Sequence, residues 1–265
     1  MAGRANMIKK KWVGVAVALS LLLLLRISSR EEQEVVVACR NDHLEKNTSV
    51  QSKECSPDNL SEHEEQMRVA LTFDDGPHPV YTPRLLDGLK ARGVHASFFM
   101  VGENAAANPE LVERIYEEGH LIGNHTYSHQ QLTTLSEEAA TQELTKTQEV
   151  LEQITGEWPL YVRPPFGSWN RELEGEVSML PVLWSVDSLD WKDYGAEDIV
   201  DRVCHHKNLE NGAIILLHTG TKYTAEALPK LLEGLEQAGY GFVSLSEMLL
   251  EEPYTIDHEG RQRAL

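Results

Sequence analysis

Two acids, Asp74 and Asp75, stand side by side in LTFDDGPHP (71–79), behind residues that read as a strand and ahead of Gly76, Pro77 and Pro79, which stop any regular element. Successive strand side chains point to opposite faces, and adjacent anions repel unless a cation or a proton lies between them. GNHTYSH (123–129) supplies a partner for the pair. Its His-x3-His spacing, set on one helical turn, would bring the imidazoles of His125 and His129 to one side, where both could meet a single ion. Two histidines and a carboxylate leave a coordination position open for water, the arrangement of catalytic rather than structural zinc. One aspartate would be the third ligand and the other would face the water, the ion compensating their mutual repulsion.

These residues have to be positioned by the elements around them. From Arg68 onward short β-rich runs alternate with helical patterns. RVALTFDD precedes a helix near 82–92, and ASFFMVG a helix near 108–118; HLIGNHTY precedes a long helix near 136–154. LYVRPPFG and LPVLWSVDS follow, then a helix near 196–204, GAIILLHTG, a helix near 222–238, and GFVSLSEML. Strands alternating with helices imply a parallel sheet with covered faces, and seven of them in this length predict a barrel or partial barrel smaller than the eight-unit form. In such folds ligands bind where the carboxyl ends of the strands converge. The strand ends here carry Asp74–Asp75, then His125 with His129, Arg163, Asp187 with Asp190–Trp191, and His218. Any one of them could be an ordinary loop residue; five strand ends bearing the parts of one metal-hydrolase site are a different matter. Trp158 and Trp169 fit either core or groove, and Trp169, after the RPPFG turn, is the better candidate for stacking on substrate.

TFDDG, HTYSH, RPPFG, DSLDW and LLHTG occur in the order and approximate spacing of the five motifs of the polysaccharide deacetylase family, the NodB homology domain or carbohydrate esterase family 4, which the chain resembles over about residues 68–250. The resemblance implies a distorted (β/α)7 barrel and metal-dependent removal of acetyl groups from N-acetylglucosamine polymers such as peptidoglycan and chitin, or from acetylated xylan. It makes Asp74 the general base, Asp75 with His125 and His129 the metal ligands, and Arg163 the holder of the base through a charge-assisted hydrogen bond. By the same resemblance His218 is the general acid, Asp190 orients it, Trp191 and Leu216 wall the acetyl pocket, and the Phe166 amide helps bind the oxyanion. Most members have Tyr at the Phe166 position; Phe keeps the backbone donor and loses only the phenol. NRELEGEVSMLP (170–181) is short and acid-rich for the helix expected there. A His2Asp set suits zinc, with cobalt, nickel or manganese as alternatives.

The remaining features narrow the function class. Forty-two acids against 24 bases give a net charge of −18 over 265 residues, which disfavours nucleic acid, since phosphate contacts need clustered Lys and Arg. No Gly-x-Ser-x-Gly elbow marks a serine esterase. Lys9, Lys10 and Lys11 precede fourteen uncharged residues, 12–25, closed by Arg26. This stretch has the length of a signal-peptide core but no A-x-A cleavage site follows, so residues 1–30 are expected to be an uncleaved signal-anchor with the remainder extracytoplasmic, or secreted if the segment is cut. Residues 31–67, with ten acids and three bases, have linker composition, and 251–265 read as a C-terminal tail. Cys39 and Cys55 could pair; Cys204 has no evident partner. The expected enzyme is thus a monomeric, membrane-tethered N-deacetylase of an N-acetylated polysaccharide, foremost peptidoglycan. An O-acetyl ester deacetylase and a non-catalytic carbohydrate-binding module are the competing classes.

Overall fold

The computed structural model describes residues 66–169, 178–250, 254–256 and 262–265. The apolar run at 12–25, Cys39, Cys55, nearly all of the acidic 31–67 segment and residues 170–177 lie outside the described residues. Among the described residues no helix is long and apolar enough to cross a membrane.

In chain order the elements are β1 (Met67–Gly76), α1 (Tyr81–Lys90), β2 (Ser97–Met100), α2 (Gly102–Ala107), α3 (Pro109–Glu117), β3 (Leu121–Asn124), α4 (Glu137–Thr155), β4 (Tyr161–Val162), β5 (Leu180–Pro181), β6 (Val186–Asp187), α5 (Ala196–Cys204), β7 (Ala213–His218), α6 (Lys222–Gln237), β8 (Tyr240–Phe242) and α7 (Leu245–Met248). A short antiparallel pair, β9 (Tyr254–Ile256) and β10 (Gln262–Ala264), occupies part of what the sequence presents as a tail. Helix α2 has no counterpart in the sequence reading; six residues are too few to show a period.

The main sheet is wholly parallel, in the order β5-β4-β3-β2-β1-β7-β6, with β8 paired to the beginning of β1. Alternation along β1 explains its layering. Val69, Leu71 and Phe73 join the large core beneath the helices, with Leu85, Leu86 and Leu89 of α1 and Leu228, Leu231, Leu232 and Leu235 of α6. Ala70 turns the other way, into a smaller cluster with Phe99, Val182 and Leu245 that fills the concave side. Thr72 and Asp74 continue that inner row by the period of two. The helices begin and end on recognisable chemistry. Ser136 accepts a hydrogen bond from the Ala139 amide ahead of α4, and Gly156, at φ 76°, closes it. Thr221 caps α6 through the Thr224 amide.

The stretch LPVLWSVDS, expected as one strand, is divided. β5 pairs with β4 and β6 with β7, at opposite ends of the sheet, and among the described residues no ladder joins them. Residues 182–185 carry the chain across this seam: the Val182 amide still bonds to Val162, and the Ser185 amide already bonds to Ile214. The barrel is therefore an open half-barrel, and the carbonyls at the seam need partners from elsewhere.

Candidate metal centre and active site

β1 delivers two carboxylates to one place by breaking its own pleat. From Phe73↔Phe98 to Gly76↔Met100 the register advances three residues on β1 for two on β2, one extra residue in a bulge. Asp75 takes the left-handed conformation, φ 68°, one of the few polar residues that tolerate it. The strand rule that would have sent Asp74 and Asp75 to opposite faces no longer applies, and both reach His125. The bulge is braced by the Asn104 side-chain amide, which donates to the Asp75 carbonyl at 2.8 Å. Gly76 leaves room for Thr219, whose Oγ1 would lie 2.8 Å from a Cβ there.

The histidine pair is not on a helical turn as its spacing suggests. HTYSH is an irregular loop after β3, with positive φ at Thr126 (64°) and His129 (57°). Side chains with no role in the sequence reading hold it. Asn124 accepts from the Thr126 amide at 2.8 Å and donates to the Leu144 carbonyl at 2.9 Å. Glu143 of α4 accepts from the amides of Tyr127 (3.0 Å) and Ser128 (2.8 Å) and from the Ser128 hydroxyl (2.9 Å). The visible signal for Glu143 is a carboxylate on the buried face of α4, among Ala140, Leu144, Thr147 and Leu151.

Asp75 Oδ1 lies 3.4 Å from His125 Nε2 and 3.3 Å from His129 Nε2, and it is buried without a hydrogen bond of ordinary geometry. Those separations are too long for good N–H···O bonds but match the edge, about 3.3 Å, of a tetrahedron whose ligands sit ~2.0–2.1 Å from zinc. His125 Nδ1 donates to the Arg163 carbonyl at 2.6 Å; that keeps a proton on Nδ1 and leaves Nε2 as the ring atom turned toward Asp75. Burial, with the His125 charge, holds the His129 pKa below its ordinary value against the pull of Asp75 and Asp74, so a neutral ligand is favoured. For Asp75, burial alone would raise the carboxyl pKa, but His125, His218 and His129 together bring it below the usual value. The three residues fit a divalent ion: one carboxylate oxygen and two imidazole nitrogens, donor atoms within 4.8 Å of one another.

Beside this cluster are two buried ion pairs. Arg163 is fully buried, a costly place for a charge, and every nitrogen has a use. Nη1 donates to Asp74 at 2.8 Å and to Thr72 Oγ1 at 2.7 Å; Nε and Nη2 donate to the carbonyls of Val182 (3.1 Å) and Leu183 (3.2 Å), the unpaired groups of the seam. Burial lowers its pKa and Asp74 opposes that. On the neighbouring strand His218 is the register partner of Asp74. Its Nδ1 donates to Asp190 Oδ1 at 2.7 Å, while Asp190 Oδ2 accepts from the His218 amide at 2.7 Å and from the Thr224 hydroxyl. Burial alone would depress the imidazole, but Asp190, with Asp74 and Asp75 behind it, raises its pKa to about 9.

The other sequence candidates divide. Leu216 is buried two residues before His218 on the same face of β7, and Trp191 is 57 % exposed beside Asp190. Phe166, with φ 62°, packs edge-on to His129 with ring centroids 5.0 Å apart. Trp169, partly buried, packs one side against the Leu132, Ala140, Leu144, Val162 and Met179 cluster, its indole nitrogen buried and unpartnered among the described residues. Large apolar residues here have α4 to cover, and Trp169 is drawn into that task. Asp187 accepts from the Leu189 amide, as a loop-stapling residue would. His78, unassigned from sequence, accepts the amides of Val80 and Tyr81 and starts α1.

A profile of the polysaccharide deacetylase family matches residues 61–182. The chain is 40% identical over 183 residues to the peptidoglycan-N-acetylmuramic acid deacetylase PdaC of Bacillus subtilis, a match that takes in 69% of this chain and 39% of the length of that relative. It is 41% identical over 189 residues to a peptidoglycan-N-acetylglucosamine deacetylase of Bacillus cereus, covering 68% of this chain and 87% of the relative. The solved structure of PdaC superposes with a TM-score of 0.66 over 69% of this chain and 90% of that one.

Proposed function

The chain belongs to the polysaccharide deacetylase family, and from that premise we propose that it is a metal-dependent hydrolase that removes acetyl groups from the N-acetylated sugars of a polysaccharide, peptidoglycan foremost. The observation that carries this is the convergence of three groups at the carboxyl ends of β1, β3 and β7: the Asp75–His125–His129 cluster, the Asp74–Arg163 pair and the His218–Asp190 pair. A zinc ion, or a cobalt, nickel or manganese ion, held by Asp75, His125 and His129 would polarise the acetyl carbonyl and make a solvent molecule more acidic.

The chain's own residues do the rest. Asp74, oriented by the 2.8 Å bond from Arg163 Nη1, takes the proton of the attacking water. His218, kept protonated by Asp190, gives its proton to the departing nitrogen, without which an amine anion would have to leave. The Phe166 amide donates to the oxyanion, a contact whose loss typically costs about 10²–10³ in rate. Leu216 and Trp191 bound the space for the acetyl methyl. No covalent intermediate is required. An acetyl-bearing wall polymer lies outside the membrane, so the same proposal places the domain extracytoplasmically, tethered by the apolar run at 12–25. Acetate release from peptidoglycan, chitin oligomers and acetylated xylan, with and without added zinc, tests it. Zinc-dependent release from the first two is expected; release from xylan alone would make the chain an ester deacetylase, and none from any would refute catalysis.

A further inference from the structure

A second concave site lies at the other end of the sheet. A pocket of about 290 Å³ opens among the end of α3, the start of β3, the α4–β4 connection and the start of α7. Its volume, at the small end of the range for ligand sites, ~300–1,000 Å³, accommodates a single ring rather than a peptide helix. Leu121 and Ile122 line it while His125, on the same run of chain, lines the metal cluster. Three to four residues of strand, roughly 10–13 Å, separate the two, so one bound sugar ring cannot touch both.

The lining is mixed in a particular way. Trp158 (51 % exposed), Leu160 and Tyr116 present apolar surface to solvent. Glu157 accepts from the Tyr116 hydroxyl, and Ser244 and Ser246 add hydroxyls. His120 is buried, and its Nδ1 accepts from the Ala96 amide at 3.1 Å, which puts the ring proton on Nε2. Nε2 has no partner among the described residues. Burial, with the His95 ring close by, lowers the pKa of this imidazole to about 4, so it is a fixed neutral donor across the physiological range. The wall contains one carboxylate and no Lys or Arg, which turns away phosphate, nucleic acid and anionic lipid. An apolar flat face, a hydroxyl edge and a carbonyl acceptor are what remain complementary.

We propose that this pocket is a second carbohydrate site, holding one N-acetylhexosamine ring of a glycan strand other than the strand undergoing deacetylation. The acetamido carbonyl accepts from His120 Nε2, the apolar ring face stacks on Trp158, and ring hydroxyls donate to Glu157. This rests on the proposed action on a polymer: in a mesh of strands a second foothold keeps the enzyme on the wall between events.

The test uses the full chain and its Trp158→Ala variant, altered at a half-exposed position and checked for an unchanged unfolding transition, with Leu160→Asp as a second variant. Acetate release from soluble chitotetraose should stay within twofold of the parent, while co-sedimentation with insoluble peptidoglycan should weaken five- to tenfold. N-acetylglucosamine at millimolar concentration should shift the NMR signals of Gly119, His120 and Leu121. Undiminished co-sedimentation of both variants, equal loss on soluble and insoluble substrate, or shifts confined to residues around Asp75 and His125 would overturn the proposal. So would a dissociating dimer in Trp158→Ala, which would make the pocket a contact between copies. If the parent releases no acetate but sediments in a Trp158-dependent way, the catalytic reading fails and this site stands.

Discussion

Replacing Asp190 by Asn probes the acid arm of the site with little change of shape. His218 is raised from 6.5 to about 9, a shift of ~2.5 units, or about 3 kcal/mol of preference for the imidazolium at ~1.36 kcal/mol per unit. Asp190 is the principal source, through the 2.7 Å bond to Nδ1. In Asp190→Asn, the Asn oxygen would keep the His218 amide and the Thr224 hydroxyl, which turns its NH2 group toward Nδ1. That nitrogen must then accept, and the imidazolium is lost. A raised pKa confers its benefit below the ordinary value and loses it as pH rises through the folded one, so the alkaline limb of kcat/KM should fall from about 9 to 6.5 or lower. A bound divalent cation offsets Asp75, so the parent's limb in the metal-loaded enzyme falls between these limits. With limbs at 9 and 6.5, protonation alone makes the variant roughly tenfold slower at pH 7.5, within about twofold at pH 6, and some seventyfold slower at pH 8.5. Acetate release across pH 5.5–9.5 reads this directly, and imidazole NMR of the metal-free protein reads the pKa itself. A loss of rate that is the same at every pH, or an unmoved limb, would refute the reasoning and reduce Asp190 to a structural staple.

Other perturbations separate the parts of the site. Asp74→Asn should lower kcat by about 10²–10⁴ while the metal content per chain, measured by elemental analysis, stays unchanged. Zinc should raise the unfolding free energy of the parent by about 2.7 kcal/mol at a hundredfold excess over Kd, seen as a shift in Tm, and should leave the Tm of His125→Ala unmoved. Glu143→Leu should weaken metal binding about 10–100-fold, and Glu143→Gln, which can still accept both loop amides, should recover most of it in calorimetry. Arg163→Lys keeps the charge but cannot reach the seam carbonyls; leaving both unmet at ~1–3 kcal/mol each should cost about 2–6 kcal/mol in denaturant unfolding, with kcat falling as Asp74 loses its partner.

The alternation of strands and helices was legible because each element obeys its own period over enough residues. Val69, Leu71 and Phe73 face one way, and α6 buries a continuous stripe from Leu228 to Leu235. The residue types that meet at the site were legible for a different reason: they stand at strand ends, where a parallel sheet has no choice but to gather them. What could not be read was backbone departure from regularity. His-x3-His looks the same whether the chain is a helical turn or a loop with positive φ at Thr126 and His129. The bulge that turns Asp75 beside Asp74 depends on the register with β2, a relation between residues 24 positions apart along the chain. Glu143, Asn124 and the Trp169 packing likewise become visible only once α4 lies against the β3 loop.

Arg163 shows why fold and chemistry are hard to separate in this protein. The parallel sheet fails to close between β5 and β6, and that failure strands the carbonyls of Val182 and Leu183 in a buried place, where each would destabilise the domain. A guanidinium is the one side chain with enough donors, rigidly spread, to answer both and still turn Nη1 to Thr72 and Asp74. A buried cation demands a buried anion, and Asp74 supplies it. The fixed orientation that the proposed role of Asp74 as a base requires follows from the repair of the seam. The carbonyl of the same residue holds His125 Nδ1, so the ring of the proposed metal ligand is oriented there too. An open barrel, an oriented Asp74 and an oriented His125 are in this sense one structural fact, reached through a single residue at the end of β4.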